Sequence, residues 1–220
     1  MFRALIPFLL LLSSCGSYSF KTNSNPFEFL GIKTIAIPMF VNHSILPNVN
    51  GHFAKQFSQG LSRFNGLRVY LGDTKSADAI LLGIVESDDS RSKVVQTKNY
   101  KYITGLLHDS IGSKRNQFYM PLTTQVSLRL RVVLIKRPGP ELIKVVSSQM
   151  GKHIKGHPKI IFNRTFSLHH TFTRSLRDNL SVDRGGVVNF TKNSYFLDDS
   201  VEKMAKLAVV KFNEEIINAF

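Results

Sequence analysis

Apolar positions along this chain change their spacing several times, and each spacing names an element. Ala4 to Leu12 is an almost unbroken apolar run behind the single charge of Arg3. Ile32 to Pro38 is a short β-branched run stopped by proline, which predicts a strand. From Val49, residues Phe53, Phe57, Leu61 and Phe64 fall on one helical stripe, with Lys55, Gln56, Gln59 and Arg63 elsewhere on the surface. Asn65-Gly66 closes that helix, since glycine takes the left-handed conformation at a helix end. Leu67 to Leu71 reads as the next strand, and the continuous run Ala79 to Val85 as a strand covered on both faces. In Gln125–Ile135 the period becomes two: Val126, Leu128, Leu130, Val132 and Leu134 alternate with Gln125, Ser127, Arg129, Arg131 and Val133. After the turn Arg137-Pro138-Gly139-Pro140, residues Leu142 to Val146 predict a returning strand and a hairpin. Ile160–Phe162 and Phe166–Phe172 predict further short strands or helix. The last stripe is Val201, Met204, Ala205, Ala208, Phe212, Ile216 and Phe220, a helix whose start is marked by Asp199 and Glu202 as a capping box. This order predicts an α/β (α+β) two-layer sandwich, with two main helices packed on one face of a mixed β-sheet. Residues 87–124 are the least regular: Val94–Gln96 fits a short strand, and Lys98 to Pro121 a long loop or paired irregular strands.

The first fifteen residues say where such a domain works. Nine apolar residues are about half of the roughly 20 that cross a bilayer, so Ala4–Leu12 fits the core of a secretory signal rather than an anchor. Leu12-Ser13-Ser14-Cys15-Gly16 follows, with the only cysteine of the chain directly after the small residues. That spacing matches the bacterial lipobox, in which the thiol is acylated and the bond before Cys15 is cut. Two or more acyl chains anchor stably where one does not. The alternative is a secreted protein whose cysteine happens to stand at a cleavage site. The expected organisation is a lipoprotein signal peptide over 1–14, a lipidated tether over 15–31 (turn-rich, with a short strand at Tyr18–Phe20) and a single domain over 32–220. Gly16, in place of Asp, follows the sorting pattern of the outer membrane, so the expected location is its periplasmic side.

Composition then narrows the chemistry. With 220 residues, 43% of them hydrophobic, there is material for a core, and one cysteine excludes a disulfide framework. The charge is 29 Lys plus Arg against 15 Asp plus Glu. It is uneven: residues 91–192 hold 19 basic and four acidic residues, net +15, whereas 193–220 hold three and five, net −2. Anionic partners are expected. Arg129 and Arg131 share one strand face by period two, and Lys136-Arg137 end that strand. These four are the candidate anion site, able to make charge-assisted hydrogen bonds to phosphates; the alternative is a solvated basic surface. His153, His157, His169 and His170 have almost no carboxylates near them and stand among Lys152, Lys155 and Lys159, which argues against a metal. Asp88-Asp89 and Asp198-Asp199 read as turn and cap residues. No Gly-x-Ser-x-Gly, Walker or His-Glu-x-x-His motif is present, so neither an enzyme nor a cofactor beyond the lipid on Cys15 is expected. Basic residues around Tyr100, Tyr102, Phe118 and Tyr119 suit nucleic acid, but an export signal removes the chain from it.

The lipobox with Cys15-Gly16-Ser17-Tyr18-Ser19-Phe20, then Ile32-Lys33-Thr34-Ile35-Ala36-Ile37-Pro38-Met39-Phe40-Val41-Asn42-His43-Ser44, an amphipathic helix, a strand and Ala77-Asp78-Ala79-Ile80-Leu81-Leu82-Gly83, resembles the LptE family of outer-membrane lipoproteins. The likeness covers about residues 12–86 and the C-terminal helix. It departs from the family pattern at Ser17 and after Asn42, where the usual Thr-x-x-Pro-Gly is lacking. It implies a partner of the LptD barrel that plugs it, helps it fold and binds lipopolysaccharide during transport, without catalysis. The strand-Pro-x-Phe-x-Asn pattern is also similar to TolB N-terminal and CsgG-type lipoprotein domains. The alternative is therefore a binding module in secretion or envelope assembly.

Overall fold

A computed structural model describes residues 23–72, 76–103, 118–148, 156–174 and 190–219, and shows one seven-stranded mixed sheet with four helices. Cys15, the strand expected at Tyr18–Phe20, His153 and the middle of the long loop lie outside the described residues. The elements are β1 (Thr34–Ile37), β2 (Val41–His43), α1 (Val49–Leu61), β3 (Arg68–Leu71), β4 (Ala79–Glu86), α2 (Arg91–Val94), β5 (Val95–Ile103), β6 (Phe118–Lys136), α3 (Pro140–Ser147), β7 (Ile160–Thr173) and α4 (Phe190–Ala219).

β1 lies between β3 and β4, parallel to both. β2 continues β1 along the same edge of β4, Pro38 having interrupted the strand. β6 then runs antiparallel to β4 over Arg129–Lys136 and to β5 over Phe118–Val126, while β7 pairs along its other side. We call the end where β1, β3, β4 and β7 begin and β6 finishes the proximal end, and the opposite end distal.

The period-two reading of β6 holds. Val126, Leu128, Leu130, Val132 and Leu134 are buried beneath α1 and α4, in one cluster with Phe53, Phe57, Leu61, Met204, Ala208, Phe212 and Ile216. Rings of Phe40, Phe57, Phe212 and Phe162 form a chain of contacts with centroids 5.1–5.4 Å apart. Burying each such ring contributes about 2 kcal/mol or more. All eight residues of β4 are buried, as its unbroken apolar run requires.

Four expectations change. Leu142–Val146 is not a returning strand but part of α3. Pro140 at the first helical position and Gly139 before it start a helix, and Leu142, Ile143 and Val146 cover Ile80, Leu82, Ile84, Val133 and Ile135 on the opposite sheet face. Asp199 and Glu202 do not cap a helix, because α4 already begins at Phe190; they pair with Lys203 and Lys206 one turn on, at 2.7 and 2.8 Å. Ile160–Phe172 is one strand rather than two pieces. Residues 23–31, expected in the tether, are packed: Phe27 is fully buried, Asn25 bonds the Phe27 amide and the Ile32 carbonyl, and Ser24 bridges Asn65. Of the irregular segment, the paired-strand alternative is what forms, with register breaks between Thr97 and Tyr100.

Candidate binding face

Because β6 alternates, its odd positions face away from α1 and α4, and the two halves of that face differ. Proximally, Val133 and Ile135 are apolar and α3 covers them. Distally, Arg129, Ser127, Gln125 and Thr123 continue the same row, β5 adds Gln96, and β7 adds Thr165 at the border and then Ser167, His169, Thr171 and Thr173. Every one of those β7 residues is exposed. The result is a sheet face of hydroxyl, amide and imidazole groups with Arg129 at its border. Lys98 leans into it, its Nζ donating to Gln96 Oε1 at 2.9 Å.

The four candidate anion residues do not form one cluster. Arg129 and Arg131 share the face but not the environment. Arg129 is half-exposed, 3.7 Å from Asp88 and donating weakly to the Ser87 carbonyl. Arg131 is only 5% exposed: its Nη2 donates to the Val146 carbonyl at the end of α3 at 2.7 Å, and its Nε and Nη1 have no hydrogen-bond partner among the described residues. Burial lowers its pKa, opposed by the negative charge of Glu86. Sequence spacing places the two arginines on one face but carries no sign that α3 would close over one of them. Lys136 lies on the opposite face at the proximal end, donating to the Leu30 carbonyl. Arg137, left-handed at φ 46°, donates its amide to the Asp78 carbonyl where the strand ends.

His169 and His170 are neighbours in a strand and so point to opposite faces, which prevents joint chelation. His170 lies under α4 with Nδ1 3.0 Å from Ser200 Oγ. Among the described residues no group of three metal-ligating side chains is brought together.

The residues that carry the family resemblance hold the fold together. Asp78 Oδ2 accepts from the Lys33 amide, the Thr34 amide and Thr34 Oγ1 at 2.8–3.0 Å, and the Asp78 amide donates back to Thr34 Oγ1. The Thr34 hydroxyl bond first, then the amides, pulls the Asp78 pKa below its ordinary value. Phe40 stacks directly over Gly83, where any Cβ would collide with its ring. Asn42 accepts from the Ser44 amide and hydroxyl and donates to the Leu46 carbonyl, shaping the loop into α1.

Fold and face together define an α+β two-layer domain with one polar sheet face that, among the described residues, no element covers at its distal end. No family model matches the sequence, and no curated protein matches it. Among solved structures, a hypothetical protein from Chlamydia trachomatis is similar at 12% identity and TM-score 0.37, over 86% of this chain and 99% of that one. A lipoprotein from Neisseria meningitidis is similar at 12% identity and TM-score 0.33, over 78% and 97%. Rare lipoprotein B from Shewanella oneidensis is similar at 6% identity and TM-score 0.29, over 83% and 92%. At such low similarity these likenesses carry no statement about what this chain binds or does.

Proposed function

We propose that the chain is a lipoprotein of the bacterial envelope, acylated at Cys15, that acts as a binding module rather than an enzyme. Its role is that of an LptE-like partner of an LptD-type outer-membrane barrel in lipopolysaccharide transport. The lipobox supports the anchor, and the keystone roles of Thr34, Phe40, Asn42, Asp78 and Gly83 give the family resemblance a physical basis. The observation that carries the binding role is the uncovered distal face. Saccharides and phosphates are held by hydroxyl, amide and guanidinium groups in number, and Gln96, Gln125, Ser127, Arg129, Thr165, Ser167 and His169 supply them on a rigid platform. Arg131 is excluded from contact with the ligand by α3, and Lys136 and Arg137 by their place at the other end.

The test is purification of the full chain from its native envelope, with bound proteins and lipids identified by mass spectrometry, beside an Arg129→Glu, Ser167→Glu variant. Recovery of a large barrel and lipopolysaccharide with the native chain, and loss of the lipopolysaccharide with the variant, is the expected result. Recovery of copies of itself or of other envelope proteins in place of the barrel would move the assignment to a TolB-like or CsgG-like module.

A further inference from the structure

The proximal end carries a second concentration of charge that the distal face does not use. Lys33 and Thr34, entering β1, and Gly66, Leu67 and Arg68, entering β3, line a cleft of about 530 Å³. Asp78, at the starts of β1 and β4, accepts the Lys33 and Thr34 amides and the Thr34 hydroxyl; it keeps its negative charge, which Arg137 also feels, and it makes no ion pair with Lys33 or Arg68 among the described residues. Arg63, Arg137 and Lys159 are exposed around the same end, and none of these five cations is ion-paired among the described residues. The carboxylates toward this end include Asp78, Glu28 on the turn before Gly31, Glu141 at the start of α3, and Glu215 near the end of α4, which pairs with Arg164.

The chain arrives at this same end. The Asn65 amide donates to the Asn23 carbonyl at 2.6 Å, and Ser24 bridges Asn65, directly before the cleft-lining Gly66. Eight residue steps separate Cys15 from Asn23, a reach of at most about 28 Å. The 30 residues of α4 span about 45 Å. A lipid on Cys15 therefore joins the fold at the proximal end, within about 28 Å of Asn23, a shorter distance than the length of α4.

We propose that the proximal end is a membrane-docking surface. Lys33 and Arg68 take the phosphate of an anionic phospholipid headgroup in the cleft, while Arg63, Arg137 and Lys159 face neighbouring headgroups. The inference rests on acylation at Cys15 for its orientation. It goes beyond the proposed function in assigning the proximal cations to the leaflet that holds the anchor, leaving the distal face directed away from it. A basic surface beside an acyl anchor adds a second attraction that falls off within a Debye length, about 8–10 Å, and weakens with salt.

The chain has no tryptophan, so a single one reports position. Phe29→Trp places it on the turn beside Lys33, at a site 63% exposed, and Tyr195→Trp places it near the distal end at a site 66% exposed. Each full-length variant is reconstituted into vesicles of phosphatidylcholine, with or without phosphatidylglycerol, containing brominated lipid as a contact quencher. The expected result is quenching of Phe29→Trp that requires phosphatidylglycerol, falls to the neutral-vesicle level in high salt or on adding Lys33→Glu with Arg68→Glu, and is absent for Tyr195→Trp. Equal quenching of both reporters, or quenching indifferent to phosphatidylglycerol or to the charge reversal, overturns the docking surface. The mass of the mature chain and its flotation without phosphatidylglycerol report acylation separately. A chain lacking acyl mass sinks the anchor, and the quenching pattern still decides whether the cleft binds headgroups.

Discussion

The proximal and distal halves of the sheet are built from the same strands but closed differently. Proximally, β4 and the end of β6 lie between α1 and α4 on one face and α3 on the other, and every side chain on β4 is buried. Distally, the start of β6 and its partner β7 keep α4 on one face, and the other face is polar. Arg129 and Arg131 mark the border: two residues apart on one strand and one face, one is half-exposed and the other enclosed. The lesson is that a strand's alternation decides which residues share a face, but covering elements decide which of them a ligand can reach.

The largest expected effect is at the closed half's tightest point. Gly83→Ala puts a methyl into the Phe40 ring and should destabilise by about 3 kcal/mol, since neither β4 nor the ring has room to retreat. Combining it with Phe40→Leu should recover part of that loss, and denaturant midpoints of the two single variants and the double variant check it. Additive losses would show that the ring is not what Gly83 accommodates.

Across the border the two arginines should separate. Arg131→Met strands the Val146 carbonyl and removes the cation facing Glu86, at an expected cost of about 2 kcal/mol. Arg129→Met should stay within about 0.5 kcal/mol, as exposed ion pairs contribute little. Equal losses in urea unfolding would erase the distinction between the covered and open halves.

How much of this could be read in advance follows the same border. The helical stripe from Phe53 to Leu61, the alternation of Val126 to Leu134 and the apolar run of β4 are local patterns set by burial, and they led directly to the two-helix, one-sheet layering. Leu142-Ile143-Lys144-Val145-Val146 reads as a strand because it is short, apolar and β-branched, whereas Pro140 marks the helix, since a proline opens a helix as readily as it ends a strand. The early start of α4 was hidden by i,i+4 pairs that mimic a cap. The open face was not visible at all. Thr165, Ser167 and Thr171 carry no motif, and only the register of β7 against β6 sets them beside Arg129.

Asp78 tests the closed half from its rim. Asp78→Ala removes the acceptor that joins the starts of β1 and β4, at an expected cost of about 1.5 kcal/mol at neutral pH. Its folded pKa lies below the unfolded one, so the contribution is present above the unfolded value, about 3.9, and fades as pH falls through the folded value. The gap between native chain and variant should therefore narrow below about pH 4. A gap that stays constant down to the end of the measurable range would mean that the hydrogen bonds do not depend on the charge.

The smallest effect belongs to a titratable contact that the distal half keeps under α4, between His170 and Ser200. Ser200 Oγ donates its only proton to the Phe196 carbonyl at 2.7 Å, so His170 must donate from Nδ1 to that oxygen, which fixes the neutral tautomer. Protonating the ring at Nε2 leaves that bond in place. The penalty therefore comes first from burial and then from Lys203, partly offset by Asp199, and the His170 pKa is lowered accordingly. A depressed histidine pKa stabilises the fold above the unfolded value, near 6.5, and the contribution is lost as pH falls through the folded value. The native chain should lose stability between pH 7 and 5 more steeply than His170→Gln, which keeps a donor without a titration. Parallel losses in urea midpoints would mean that water reaches the ring under α4, leaving this contact as open as the face behind it.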